Sequence, residues 1–348
     1  MLRLGLYCVD PDKARELAQC TTRLPDLCLT AVIDPVEPRR QQTSSIVDAS
    51  IVAETWSQLT GEQRGSIDAV LFDGALRDRR TEVDRILTDR KHVLISALGE
   101  SALGELDENE IELLDAKARE KGVTLRFRNR LLYRPSYVAV KESLESGKLG
   151  SPSLLRLNDW RAASTRDRDP TAKIDETKST REAWSPCWQG VAENLEVALW
   201  LFGIEPKEIF ATSRSSAPDD RGVTFSDRGY VQVHLGFADG GMALIGVANT
   251  LPPGDGYRSL TLIGSSGAAY ADDHHQTQLL YRGGLPSAAR TSESCVAETS
   301  LLRDFLSEVR NQTTGKATTP IRRFPDCVTV MRIVARVRDS IREGRPIG

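Results

Sequence analysis

Between residues 2 and 127 short β-branched runs alternate with stretches of helical period, and this alternation limits the fold more than any other feature of the chain. Leu2–Val9 reads as a strand, and Asp10-Pro11 then places an N-cap residue before a proline at the first helical position, opening a helix to about Thr22. Leu27–Ile33 is a second strand that ends at Asp34-Pro35. The polar stretch 37–45 shows no clear period, Ile51–Ala53 is a short third strand before a helix at 55–63, and Ile67–Phe72 is a buried fourth. Arg77–Asp89 is helical, His92–Ile95 a strand, Glu108–Lys121 a helix with Ile111, Leu114 and Ala118 on one stripe, and Val123–Phe127 a strand. Strands separated by helices need crossover connections, so the expected structure is a doubly wound parallel sheet.

The pattern changes near residue 128. A helix at Pro135–Ser146 leads into Gly147-Lys148-Leu149-Gly150, after which strands dominate: 153–160, 207–214, 230–237, 241–248, 259–263 and 278–281. Asp239-Gly240 between two alternating apolar runs is a hairpin signal. One helix, Val191–Phe202, is inserted early, and two close the chain at 298–310 and 325–342. The second domain is therefore expected to be α+β, an open-faced, mostly antiparallel sheet of five or six strands with helices on one face, and the division expected is 1–128 and 129–348. The charged, apolar-poor stretch 161–183 fits a solvated loop.

Forty-six Lys and Arg against 49 Asp and Glu leave a net charge of −3, which gives no electrostatic case for nucleic acid or an anionic membrane. No stretch approaches the ~20 apolar residues of a membrane span. Six cysteines without a CxxC pair fit a reducing, cytoplasmic setting and supply no zinc signature, and the opening residues lack the features of a secretion signal.

Several phrases, in order, resemble the glucose-fructose oxidoreductase and inositol dehydrogenase family (Gfo/Idh/MocA). They are Ile67-Asp68-Ala69-Val70, Lys91-His92-Val93-Leu94, Tyr133 and Pro135 before Glu145-Ser146-Gly147-Lys148-Leu149-Gly150, Leu199-Trp200-Leu201-Phe202-Gly203, and Arg342-Glu343-Gly344-Arg345-Pro346. The resemblance spans nearly the whole chain. It implies an N-terminal Rossmann-like dinucleotide-binding domain and a C-terminal substrate and oligomerisation domain.

Each phrase that carries the family's chemistry is altered. The three glycines of GxGxxG, which let pyrophosphate approach the amides of a helix N-terminus, fall on Cys8, Asp10 and Lys13, and Asp10 would cap those same amides. The acidic residue expected at the adenosine ribose is retained as Asp34. The EKP motif with its catalytic lysine falls on Ser96, Ala97 and Leu98. The HxxD of the inserted helix becomes Glu193 and Glu196, which share a helix face with Trp200 opposite the apolar stripe Val191, Leu195, Ala198 and Phe202. On the family's geometry that face looks into an interdomain cleft. Two carboxylates there could bind a polyol or a cation, or move a proton, and their mutual repulsion would raise one pKa. Both could equally be solvated surface residues.

Other features weigh less. Asp272-Asp273-His274-His275 reads as polar loop, Trp184 and Trp188 either plug a seam or stack on a sugar, and no GxSxG, P-loop or HExxH occurs. Three functions stay open. The first is a divergent, non-redox ligand-binding, regulatory or assembly protein with no cofactor expected; the second is a dehydrogenase of a sugar or cyclitol using NAD or NADP through a rebuilt site. The third is non-redox carbohydrate chemistry by Glu193 and Glu196. In each the partner is a small sugar-like ligand, and the alternating Val231, Val233 and Leu235 suggest a homodimer or homotetramer built on the second sheet.

Overall fold

The protein is described from a computed structural model, which covers residues 1–72, 79–96, 108–162, 186–215, 229–252, 255–272, 277–282, 285–290, 294–314 and 327–348. The chain divides by its packing into two compact units, Met1–Tyr133 with Ser294–Arg323, and Arg134–Glu293 with Phe324–Gly348. Among the described residues, 294–314 thus group with the first unit, where the sequence division ran 129–348 unbroken.

In the first unit the alternation becomes β1 (Leu2–Tyr7), α1 (Pro11–Thr21), β2 (Leu27–Ile33), α2 (Glu37–Val47), β3 (Ile51–Ala53), α3 (Gly61–Gly65), β4 (Ala69–Phe72), α4 (Arg79–Thr88), β5 (His92–Ser96), α5 (Glu108–Lys121) and β6 (Leu125–Arg128). The strands form one parallel sheet in the order β3-β2-β1-β4-β5-β6, the doubly wound order that reverses direction between β1 and β4. A parallel sheet with helices on both faces buries both sides of its central strands, and Leu4, Leu6, Ala69, Val70, Leu71 and Phe72 are all 0% exposed. The stretch 37–45, which had no clear period, lies in α2; only Thr43 of that helix is buried, so it lacks the apolar stripe on which a sequence reading depends.

The second unit runs α6 (Pro135–Glu145), β7 (Pro152–Ala162), α7 (Pro186–Phe202), β8 (Pro206–Ser215), β9 (Gly229–Phe237), β10 (Met242–Leu251), β11 (Tyr257–Gly264), β12 (Gly267–Asp272), β13 (Thr277–Arg282) and β14 (Leu285–Arg290). After α8 (Ser294–Thr314), which packs on α1 in the first unit, α9 (Cys327–Glu343) returns to pack on β8 and α7. The sheet has eight strands, ordered β14-β13-β12-β11-β7-β10-β9-β8, and is antiparallel except where β7 runs parallel to β10. The sequence reading expected five or six strands; β12 and β14 are six residues each, contain no β-branched residue and give no alternating run to read.

The strand parity corrects the expected assembly surface. Val231, Val233 and Leu235 are 3%, 0% and 2% exposed within a single chain, on the side of the sheet that packs against α7. The exposed positions of the sheet include Trp160, Tyr230, Met242, Ile263 and Tyr270, so a second copy would meet those side chains and not the valines. Among the described residues no helix is long and apolar enough to cross a membrane, and no group of three or more His, Cys, Asp or Glu could hold a metal ion.

Candidate functional site

Two polar constellations stand out, one in each unit. In the first, β1 ends at Tyr7 and the chain turns through Cys8 into α1. Cys8 occupies the left-handed region at φ 54°, the conformation that glycine reaches without cost and that a side chain disfavours by roughly 1–2 kcal/mol. Its amide donates to the Ile33 carbonyl at 2.8 Å, and Thr43 Oγ1 of α2 donates to the Val9 carbonyl at 3.2 Å, so neighbouring elements hold the turn in place. Asp10 caps α1 as expected, its Oδ1 accepting from the Asp12 amide at 2.9 Å, and Pro11 has no amide hydrogen to offer. Lys13 does not face the helix terminus as a counter-charge: its Nζ donates to Glu16 at 2.8 Å and to the fully buried Glu298 of α8 at 3.0 Å. Arg130 joins the same cluster through Glu16 and Glu298, so Lys13 ties α8 to α1.

Asp34, just beyond β2, is 1% exposed. Its Oδ1 accepts from the Val36 amide at 2.8 Å and from Arg39 Nη2 at 2.9 Å, while Oδ2 accepts from Arg39 Nε. Arg40 Nη1 donates to the Asp34 main-chain carbonyl at 2.6 Å. Ser96 ends β5, whereas Ala97 and Leu98 lie outside the described residues, as do most of the 161–183 stretch, Trp184, Asp273, His274 and His275.

The second constellation lies wholly in the second unit. Along β7 the parity that points Leu155 and Leu157 inward also points Asp159 and Arg161 inward. Asp159 is 1% exposed and accepts four hydrogen bonds: from Arg161 Nε at 2.9 Å and Nη2 at 2.6 Å, from Arg258 Nε of β11 at 2.7 Å, and from Asn194 Nδ2 of α7 at 3.2 Å. Four is about the full capacity of a carboxylate. Arg161 Nη2 continues to Glu193 Oε2 at 2.7 Å, and Gln189 Nε2 donates to Glu193 Oε1 at 3.0 Å. Two carboxylates and two guanidinium groups balance to zero, the condition under which buried charge is tolerated. Burial pushes the Asp159 pKa up, but Arg161 and Arg258 together hold it well below the usual carboxylate range; burial lowers the Arg161 pKa, and Glu193 with Asp159 returns it above the usual value.

The helix α7 is built for this proximity. Gly190 faces the strand, where an added Cβ would come within 2.6 Å of Val247 Cγ1 and 3.3 Å of Asp159 Oδ2. Gly203 at φ 73° ends the helix, its amide donating to the Leu199 carbonyl at 2.8 Å. The apolar stripe Val191, Leu195, Ala198 and Phe202 is buried as expected. Glu196 is partly buried one turn beyond Glu193, and Trp200 is 4% exposed with Lys141 Nζ donating to its carbonyl at 2.7 Å. Glu193 therefore meets an opposite charge from Arg161, in place of the pure carboxylate repulsion the sequence suggested. Cys187 is an inert thiol, its pKa pushed up to about 12 by burial, and Trp188 is buried with the Arg338 guanidinium 5.2 Å from its ring centre. Asp159, Arg161, Asn194 and Arg258 were not singled out in the sequence, although charged residues on the apolar parity of β7 are a readable signal.

No protein-family model and no curated protein matches the sequence. Solved structures do match along nearly the full length. An oxidoreductase from Agrobacterium radiobacter in complex with NAD+, L-tartaric acid and magnesium is 13% identical, with a TM-score of 0.78 over 99% of this chain and 98% of that one. Levoglucosan dehydrogenase in complex with NADH and L-sorbose is 14% identical, also at 0.78 over 99% and 98%. UDP-N-acetylglucosamine 3-dehydrogenase from Acidithiobacillus ferrooxidans is 15% identical at 0.73 over 98% of each. The fold is that of the Gfo/Idh/MocA oxidoreductases. Identities this low carry the fold and no residue roles.

This finding overturns the expectation of a protein without a cofactor, because chains with the same fold are solved holding NAD+ or NADH. The sequence argument treated three missing glycines as a missing site. Yet Cys8 keeps the left-handed turn, and the crevice beyond the strand ends at β1 and β4 is set by topology. The turn at 8–10 offers fewer main-chain donors than a glycine-rich one, because Asp10 caps the Asp12 amide and Pro11 has no amide hydrogen, and Asp34 beyond β2 is flanked by Arg39 and Arg40, a set compatible with a dinucleotide in outline.

Proposed function

We propose that the protein binds a nicotinamide dinucleotide in its first unit and oxidises or reduces a small hydroxylated, sugar-like molecule with a rebuilt acid–base group in its second. The turn at 8–10 would lie along the pyrophosphate, and the Asp34–Arg39 edge would meet the adenosine ribose. When bound, the nicotinamide supplies a hydride acceptor or donor. Turning a C–OH into C=O also releases the hydroxyl proton, which needs an acceptor on the protein. Glu193 takes that role here, at the helix position where the resemblance places a histidine. Supporting this reading is one observation: a carboxylate 13% exposed on the rigid helix α7, oriented from both sides by Arg161 and Gln189.

The same observation favours a second reading, a ligand-binding protein without turnover. Glu193 is held by Arg161 and Gln189 as an acceptor of hydrogen bonds, and an acceptor can orient a ligand hydroxyl without any proton transfer. The test follows nicotinamide absorbance with myo-inositol, D-glucose and L-sorbose, in the wild type and Glu193→Gln. The proposal expects turnover with at least one compound and a loss of about 10²-fold or more in kcat in the variant, with dinucleotide affinity retained. Tight dinucleotide binding without turnover of any compound would favour the second reading, and absence of dinucleotide binding would remove the first.

A further inference from the structure

The Asp34 edge carries more than the presence of a ribose-side carboxylate. A carboxylate that selects the unphosphorylated cofactor does so by accepting from the ribose hydroxyls, and an arginine at the same edge accommodates a 2′-phosphate instead. Here three of the roughly four acceptor positions of Asp34 are already taken, by the Val36 amide and two nitrogens of Arg39. The carboxylate is 1% exposed, whereas Arg39 is 28% exposed, so the side chain that a ligand can reach is the arginine.

Arg39 grips Asp34 beyond β2. Arg40 lies one residue on, held by the Asp34 carbonyl, with an exposed Glu54 3.7 Å from its Nη2. Two guanidinium groups thus flank one largely occupied carboxylate; the Nε–Nη2 edge of Arg39 is spent on Asp34, and the N–H groups on the rest of its guanidinium are the ones a phosphate would meet.

We propose that Arg39, with Arg40 in support, makes this protein select the dinucleotide phosphorylated on the adenosine 2′ oxygen over its unphosphorylated counterpart. The inference rests on the dinucleotide-binding reading above and deepens it. Asp34 acts in it as the anchor of Arg39, not as a ribose ligand.

The experiment is calorimetric titration of the full chain with NADPH and with NADH. The expected result is binding of NADPH tighter by about tenfold or more. Arg39→Ala should remove most of that preference by weakening NADPH and, with Asp34 released, strengthening NADH. Adenosine 2′,5′-bisphosphate against adenosine 5′-monophosphate on the wild-type chain repeats the comparison without relying on the variant folding. NADH binding equal to or tighter than NADPH overturns the inference while leaving the dinucleotide-binding reading intact. An unchanged ratio in a folded Arg39→Ala variant overturns the assignment to Arg39. If neither dinucleotide binds, both readings fall.

Discussion

Two aspartates, each at the polar centre of its own unit, satisfy the backbone and charge around them in opposite ways. Asp10 sits exposed at the head of α1 and makes a local bond two residues along the chain. Asp159 is sealed beneath α7 and gathers donors from β7, β11 and α7 that are as far as 99 residues away. The first is a helix cap whose partners are given by its neighbours in sequence. The second is an organising charge whose partners exist only once the sheet has formed. Water screens the first and is excluded from the second, so the same side chain has very different energetic weight in the two places.

The largest expected effect tests that difference directly. Asp159→Ala removes the buried carboxylate that Arg161 and Arg258 share, leaving Arg161 to Glu193, and unfolding by denaturant should report a loss of about 3–5 kcal/mol. A loss below about 1 kcal/mol would make Asp159 equivalent to a surface cap and break the comparison.

An acid titration separates the units. His92, at the start of β5, is largely buried and accepts the Thr124 amide on Nδ1 at 3.0 Å; burial lowers its pKa from 6.5 to about 4. Between those values the unfolded chain binds a proton that the folded chain refuses, so stability is complete above pH 6.5 and falls as pH drops towards 4. Between pH 7 and pH 4.5 the loss amounts to roughly 2–3 kcal/mol. Asp159, held below the usual carboxylate range, stays charged throughout that window, so the loss belongs to the first unit. Denaturant titrations at pH 7 and pH 4.5 should show a markedly smaller loss for His92→Gln than for the wild type, and equal losses would refute the assignment.

The smallest effect belongs to Asp10. Asp10→Ala should cost about 1 kcal/mol through loss of the cap, and it should tighten dinucleotide binding by freeing the Asp12 amide and removing a negative charge beside the pyrophosphate. Unfolding and calorimetry on one preparation read both; weaker dinucleotide binding would show that the cap does not compete with the ligand. Lys13 is not a useful partner in that experiment, since its ion pairs to Glu16 and Glu298 join α1 to α8.

What could be read from the sequence follows the same division. The parallel sheet, the cap at Asp10, the stripe Ile111, Leu114 and Ala118, and the helix ending at Gly203 depend on period and on neighbours within a few residues. The amphipathic face of α7 was visible too, including Glu193, but not Arg161 as the charge opposite it, because β7 and α7 come together only through the fold. Asp34 was legible as an acidic strand-end residue, while its consumption by Arg39 was not: α2 showed no period, and without that helix nothing brings residue 39 back to residue 34.

By itself, then, the sequence determined the alternation of strand and helix, the cap at Asp10 and the identities of the polar groups at strand ends, because these follow from local sterics, capping and side-chain period. Tertiary structure alone decided which charges neutralise which, which face of the second sheet is covered, and that the turn at Cys8 survives without glycine. Those outcomes depend on groups distant in sequence being pressed together in a space that excludes water. There a partner at 2.7 Å, or its absence, is worth several times what the same pair contributes at the surface.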